Sequence, residues 1–263
     1  MKSLKTLMLA VASLAGLGIA GSAFAQCADT NLSAWSSTFT NNSSALHVVA
    51  TGLEATPSAC KLSATFGANV ATGQTNAAAI VIDTTPGATA GGEPRYRARF
   101  YFNVDSLTGT PLDGSVQSTM MNVVGNAASS GFNQILRVFH RSNSSHQHVI
   151  RLAAACGANS PTADGLCRTD IVNVPAGNHY LEFDIQTGAT GSVTYWLDSN
   201  ATSTAGTLIP SNSGTTMNMS AWGGVVSMSM GISNASPNYR LNFGTATQYF
   251  DAFDSRRQTA IGP

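Results

Sequence analysis

Glu182 and Asp184 stand two residues apart in the run from His179 to Asp198, HYLEFDIQTGATGSVTYWLD. In an extended chain, side chains at i and i+2 leave the backbone on the same side, so these two carboxylates share a face. Carboxyls held ~5–5.5 Å apart can divide a glycosidic cleavage between them, one attacking and the other protonating the leaving oxygen. The same placement suits a second use, in which Glu182 and Asp184 pair with Arg97 or Arg99 on a neighbouring strand. The polar positions nearby also carry Arg95, Tyr101, Tyr180 and Trp196. Aromatic rings flanked by hydrogen-bonding groups suit stacking on sugars, and a cluster of exposed aromatics needs some such reason. The alternative is that the Ser/Thr/Asn/Gly-rich stretch Ser199–Thr216 covers Tyr180 and Trp196. Both uses stay open, and the candidate ligand-binding set is Arg97, Arg99, Tyr101, Tyr180, Glu182, Asp184 and Trp196.

Three other groups of residues could carry chemistry. His140, His146 and His148 bracket a predicted turn, and His146 and His148 share a face, which would allow a surface metal site. Solvated turn histidines are the plainer expectation. Asn159, Asp164 and Asp170 offer oxygens around Gly165, but their spacing is not that of an EF-hand calcium loop. No cofactor or metal is expected from these residues, with calcium as the one alternative. The four cysteines, Cys27, Cys60, Cys156 and Cys167, include no Cys-x-x-Cys pair, which weakens a zinc reading. An even count in an exported chain predicts two disulfides. Three pairings are open. Cys27–Cys60 and Cys156–Cys167 are favoured, each contributing ~3–4 kcal/mol on the chain-entropy account.

Export is read from the N-terminus. Lys2 and Lys5 precede an apolar run from Leu7 to about Ala20, and Ala23-Phe24-Ala25 supplies a small-x-small cleavage pattern. Residues 1–25 are predicted to be a signal peptide and residues 26–263 a single domain. Gln26, not a cysteine, follows the cleavage point, which argues against a lipid anchor. No later apolar run reaches the ~20 residues of a membrane span. The expected location is the periplasm or the extracellular space. Loss of Lys2 and Lys5 leaves 11 basic residues against 13 acids, near −2, with Lys61 as the sole lysine. Non-specific nucleic-acid binding requires a basic surface, so it is excluded.

The elements that must position these residues are strands. Tyr96, Ala98, Phe100, Phe102 and Val104 alternate with Arg95, Arg97, Arg99, Tyr101 and Asn103. Leu46–Thr51, Cys60–Phe66, Ala78–Asp83, Thr169–Val174, the stretch near Val226, Met228 and Met230, and Gln248–Arg256 also read as extended. Asn133–Arg141 and His146–Ala154 form one hairpin, and the two arms of His179–Asp198 form another. Many short strands with turn signals every ~8–12 residues mean an all-β sandwich or barrel.

The order LSAWSS (Leu32–Ser37), EPRYRARFYFN (Glu93–Asn103), AGNHYLEFDI…GSVTYWLD (Ala176–Asp198) and YFDAFDSRR (Tyr249–Arg257) resembles the concanavalin A-like, laminin-G-like jelly rolls. Among these it looks most like a set of exported bacterial proteins of unassigned role. The resemblance implies a jelly-roll sandwich of two antiparallel sheets. Glucanases of that fold carry Glu-x-Asp-x-Glu on their catalytic strand, whereas here Gln186 stands where the proton donor would be. Jelly-roll polysaccharide lyases resemble one another in Arg-x-Glu-Leu-Arg, Gln-(Ile/Val)-His and Tyr-x-Lys-x-Gly strands, and this chain has none of the three. The expectation is therefore an exported, non-catalytic module that binds a glycan or a cell-surface partner. The alternatives are a polysaccharide-degrading, glycoside hydrolase-like enzyme with a non-standard site, and a structural envelope protein.

Overall fold

Tyr96, Ala98, Phe100 and Phe102 are fully buried, as the alternation from Arg95 to Asn103 predicts, and their strand lies inside a sheet rather than at its edge. The computed structural model describes residues 27–54, 60–68, 76–88, 91–107, 117–129, 132–142 and 147–263. The signal-peptide expectation and His146 fall outside these. Fourteen strands are described: β1 (Ser37–Asn41), β2 (Ala45–Ala50), β3 (Cys60–Phe66), β4 (Ala77–Thr84), β5 (Arg95–Asn103), β6 (Gln117–Ser129) and β7 (Phe132–Ser142), then β8 (His148–Ala155), β9 (Leu166–Val174), β10 (Asn178–Gln186), β11 (Ser192–Leu197), β12 (Thr207–Leu208), β13 (Val225–Ala235) and β14 (Ala246–Arg256). They form two antiparallel seven-stranded sheets, β1-β4-β13-β6-β7-β8-β9 and β12-β11-β10-β5-β14-β3-β2. The jelly-roll sandwich expected from the sequence is what the chain forms. Among the described residues no helix is long and apolar enough to cross a membrane.

The core fills the space between the sheets. Phe100, Phe102, Leu181, Phe183, Ile185 and Phe250 come from the second sheet, and Val81, Met121, Val123, Leu136, Val138, Ile150 and Met230 from the first. Burying each Phe or Leu contributes roughly 1.5–3 kcal/mol relative to exposure. Cys27–Cys60 and Cys156–Cys167 are the disulfides, so the favoured pairing is the observed one.

A short helix, α1 (Pro237–Phe243), closes one end of the sandwich. Ser236 caps it, its hydroxyl accepting from the Tyr239 N–H at 3.1 Å, and Pro237 suits a first turn that needs no donor. The helix buries Tyr239 against His140. The Tyr239 hydroxyl accepts from Gln248 Nε2 at 3.1 Å and donates to His140 Nδ1 at 2.5 Å, while His140 Nε2 contacts His148 Nδ1 at 2.8 Å. His140 is thus a neutral core residue rather than a solvated turn histidine or metal ligand. Burial, then His148, pushes its pKa well below 6.5.

His179 is held in the opposite charge state. Its Nδ1 donates to Asp198 at 2.7 Å and its Nε2 to the Pro175 carbonyl at 2.9 Å, so both nitrogens carry protons. The Asp198 hydrogen bond raises its pKa above 6.5. The two histidines give opposite pH dependences by linkage. His179 contributes stability that is fully present below about 6.5 and is lost as pH rises through its raised folded pKa. His140 acts on the other side: below about 6.5 the unfolded chain takes up a proton that the folded one refuses, and stability falls. Urea midpoints measured across pH should therefore peak near neutrality. Replacing His179 by glutamine should flatten the alkaline limb and leave the acid limb unchanged.

Candidate functional site

The outward face of the second sheet gathers most of the candidate set. In register, β10 and β5 place Glu182 opposite Arg99, Asp184 opposite Arg97 and Tyr180 opposite Tyr101. The hydrogen-bonded ion pairs are diagonal, and Arg97 also faces Asp184 directly. Arg97 donates to Glu182 at 2.8 Å and lies 3.5 Å from Asp184, and Arg95 grips Asp184 with both Nε (3.0 Å) and Nη2 (2.6 Å). Neighbours offset by two residues are within reach of long side chains on a sheet. Glu182 has no exposure at all. It accepts from the Ile261 and Gly262 N–H groups at 3.0 and 2.9 Å, and Arg99 donates to the Gly262 carbonyl at 2.6 Å. The last residues of the chain thus lie across this face.

Its aromatics are enclosed in turn. Trp196 is 8% exposed, with its indole N–H donated to the Thr204 carbonyl at 3.0 Å and Arg97 over the ring at 5.0 Å. Gly206 lies so near that a Cβ there would sit 2.5 Å from the indole, so the loop packs against Trp196 only because this residue is glycine. Tyr101 is 7% exposed and packs against Tyr180 with the rings tilted by 37° and their centroids 5.2 Å apart. The carboxylates, arginines and Trp196 are thus turned toward one another and toward covering chain.

The outward face of the first sheet is different. Arg137, Phe139 and Arg141 alternate on β7 with the inward Leu136, Val138 and His140. Pairing carries that face sideways. Arg137 is opposite Asn122 on β6 and Ala153 on β8, Ala153 is opposite Arg168 on β9, and Phe139 is opposite Arg151, itself opposite Asp170. Four arginines from three strands share one surface with two acids.

The acids are committed. Asp170 accepts from Arg151 through both oxygens, at 2.6 and 2.7 Å, and lies 3.6 Å from Arg141; Asp164 pairs with Arg168. These arginines hold both carboxyls below the usual carboxylate range. Arg137 is left over. No hydrogen bond or ion pair engages it among the described residues, and its Nε is buried without a partner. Its guanidinium lies over the Phe139 ring, 5.1 Å from the centroid. Burial, then Arg168, pulls its guanidinium pKa down. Around it Asn122 Oδ1, Gln134 Oε1 and Arg141 Nε are also buried and unpartnered. Orphaned buried polar groups cost ~1–3 kcal/mol each, so a partner from outside the chain, water or a ligand, would be favourable here. An anion with hydrogen-bonding neighbours would be one such partner.

The candidate calcium oxygens do not converge. Asp164 and Asp170 are in the ion pairs just described, Asn159 donates to the Thr216 carbonyl at 3.1 Å, and no group of three or more His, Cys, Asp or Glu gathers among the described residues. The arginine site was missed in the sequence, although a signal was present: Arg137, Phe139 and Arg141 repeat at a period of two, as Arg95, Arg97 and Arg99 do.

No protein-family model and no curated protein matches the chain. Solved structures do. A glucuronan lyase from the fungus Trichoderma reesei aligns with a TM-score of 0.57 at 11% identity, over 85% of this chain and 91% of its own. An alginate lyase from Aplysia kurodai gives 0.54 at 8%, over 86% and 93%, and one from a Chlorella virus gives 0.52 at 10%, over 88% and 98%. Such identities establish the fold. They also correct the order of the functional expectations. A non-catalytic binding module was placed first and a polysaccharide-degrading enzyme second, whereas these three chains, which share the sandwich over 85–88% of this chain, are polysaccharide lyases. Gln186 argues against one glucanase arrangement and does not bear on the other sheet.

Proposed function

We propose that the protein is an exported polysaccharide-degrading enzyme whose substrate is acidic and lies across the outward face of the first sheet. The observation that carries this is Arg137, an unpaired, half-buried guanidinium beside the orphaned amides Asn122 and Gln134. A uronate carboxylate matches it in charge and in planar, two-pronged shape. The fold-sharing lyases act on glucuronan and alginate, both chains of uronates, which supports the same substrate class.

Binding there also prepares a reaction. Neutralising the carboxylate makes the hydrogen on the adjoining ring carbon more acidic, because the electron pair left behind spreads into a carboxyl group whose charge is already balanced. Loss of that proton, formation of the ring double bond and departure of the 4-linked oxygen with a proton would cleave the chain. Arg137 is assigned the charge-neutralising part, and the amide oxygens of Asn122 and Gln134 are assigned to accept from the sugar hydroxyls. None of the described outward side chains on this sheet's strands is a tyrosine, histidine or lysine, so the proton-transfer group is not assigned to a residue. The Glu182 face is assigned a structural role.

Incubation with glucuronan, with alginate and with a neutral glucan tests the proposal. Falling viscosity and rising ultraviolet absorbance from unsaturated uronate ends are expected with the acidic polymers only. Cleavage of the neutral glucan alone, or of none of the three, would remove it.

A further inference from the structure

Phe39 is half exposed on an edge strand, which proteins usually avoid because a bare apolar edge invites association. It points out of the same face as Arg137. On β1 it is opposite Ile80, and Ser37 is opposite Ile82; Ile80 and Ile82 are themselves only partly buried. From there one row of paired residues crosses the sheet, from Ile82 to Ser229, Asn122 and Arg137. The outward positions of β13 along the way are Ser227, Ser229 and Gly231, all small. The floor is therefore low in the middle and flanked by an aromatic end and a cationic end.

We infer that Phe39, with Ile80 and Ile82, is a sugar-stacking subsite for a distal residue of the acidic chain bound at Arg137. This rests on the proposed function above. The two ends are four strands apart, about 19 Å at the usual ~4.8 Å spacing, which is close to one pyranose ring per strand for an extended chain. The apolar side of a sugar ring packs on an aromatic face, and the ring's hydroxyls reach serines on β13. Charge is handled at one end and ring stacking at the other, so the subsite takes long chains and is out of reach of short ones.

The test uses glucuronan and alginate oligosaccharides graded by length, with turnover and affinity measured for the full chain and for Phe39→Ala. The variant should lose about tenfold in kcat/KM on the polymers, equivalent to ~1.4 kcal/mol, and nothing on the disaccharide and trisaccharide. Phe39→Trp should restore the polymer value, which separates stacking from any local disturbance. Equal kinetics of Phe39→Ala and the unchanged chain at all lengths would overturn the subsite while leaving the Arg137 reading in place. Absence of turnover and binding by the unchanged chain overturns both. Self-association abolished by Phe39→Ala, with no dependence on oligosaccharide length, would assign the patch to a second copy and also overturn it.

Discussion

Replacing Glu182 by alanine should lower the stability of the protein by about 3–5 kcal/mol, the usual consequence of removing one partner from a buried ion pair. The carboxylate has no exposure, and three donors converge on it: Arg97 and the N–H groups of Ile261 and Gly262. Its loss leaves Arg97 charged and buried beside Trp196, with an Nε that already lacks a partner. The terminal residues also lose two of their hydrogen bonds to the sheet, keeping the one from Arg99 to the Gly262 carbonyl. Domains have only ~5–15 kcal/mol to lose, so a large shift of the urea midpoint is expected. Glutamine at the same position should cost less, because it keeps the shape and an acceptor oxygen for the backbone N–H groups. The two variants also separate structure from chemistry. On the proposed assignment, Glu182→Gln turns over polysaccharide normally wherever it is folded; a folded but inactive Glu182→Gln would move the reaction to this face.

The sequence showed this face and left its use open for a physical reason. Alternation along β5 and β10 reports which side chains leave together, and it placed Arg97, Arg99, Tyr101, Tyr180, Glu182 and Asp184 on one surface. Alternation does not report what lies over that surface. The covering pieces are Gly206, Thr204 and the chain's last residues, none of which has a periodic signature. The sandwich was legible because it depends on repeated alternation, and the Cys156–Cys167 bridge because its cysteines are only 11 residues apart. Three strands were not predicted, β1, β6 and β12; of these, β6 reads QSTMMNVVGNAAS and shows no clean period of two. A register shift against β7 at Met120 contributes to this, since it leaves the successive residues Met120 and Met121 both buried. β6 is also the strand that brings Asn122 to Arg137. The candidate site was hidden for the same reason that its central strand was.

Replacing Arg137 by alanine should reduce kcat/KM on an acidic polysaccharide by a hundredfold or more, from the ~2–5 kcal/mol lost when one member of a buried charge pair is removed. Stability should move the other way or not at all. Arg137 forms no ion pair among the described residues, and burial together with Arg168 strains its charge by more than Asp164 relieves it. Truncation therefore removes an unfavourable group from the free protein. Arg151 is the contrast, because it holds Asp170 through two hydrogen bonds, so Arg151→Ala should lower the unfolding midpoint. Lysine at position 137 keeps the charge and loses the planar fork, so only part of the activity should return. Added salt should weaken substrate affinity in the unchanged chain more than in Arg137→Ala. A residue kept for folding would show the reverse pattern, with stability falling and the salt dependence of binding unaltered. Loss of activity together with unchanged or improved stability is what a binding group held without a partner predicts, and the paired arginines on the same strands supply the internal control.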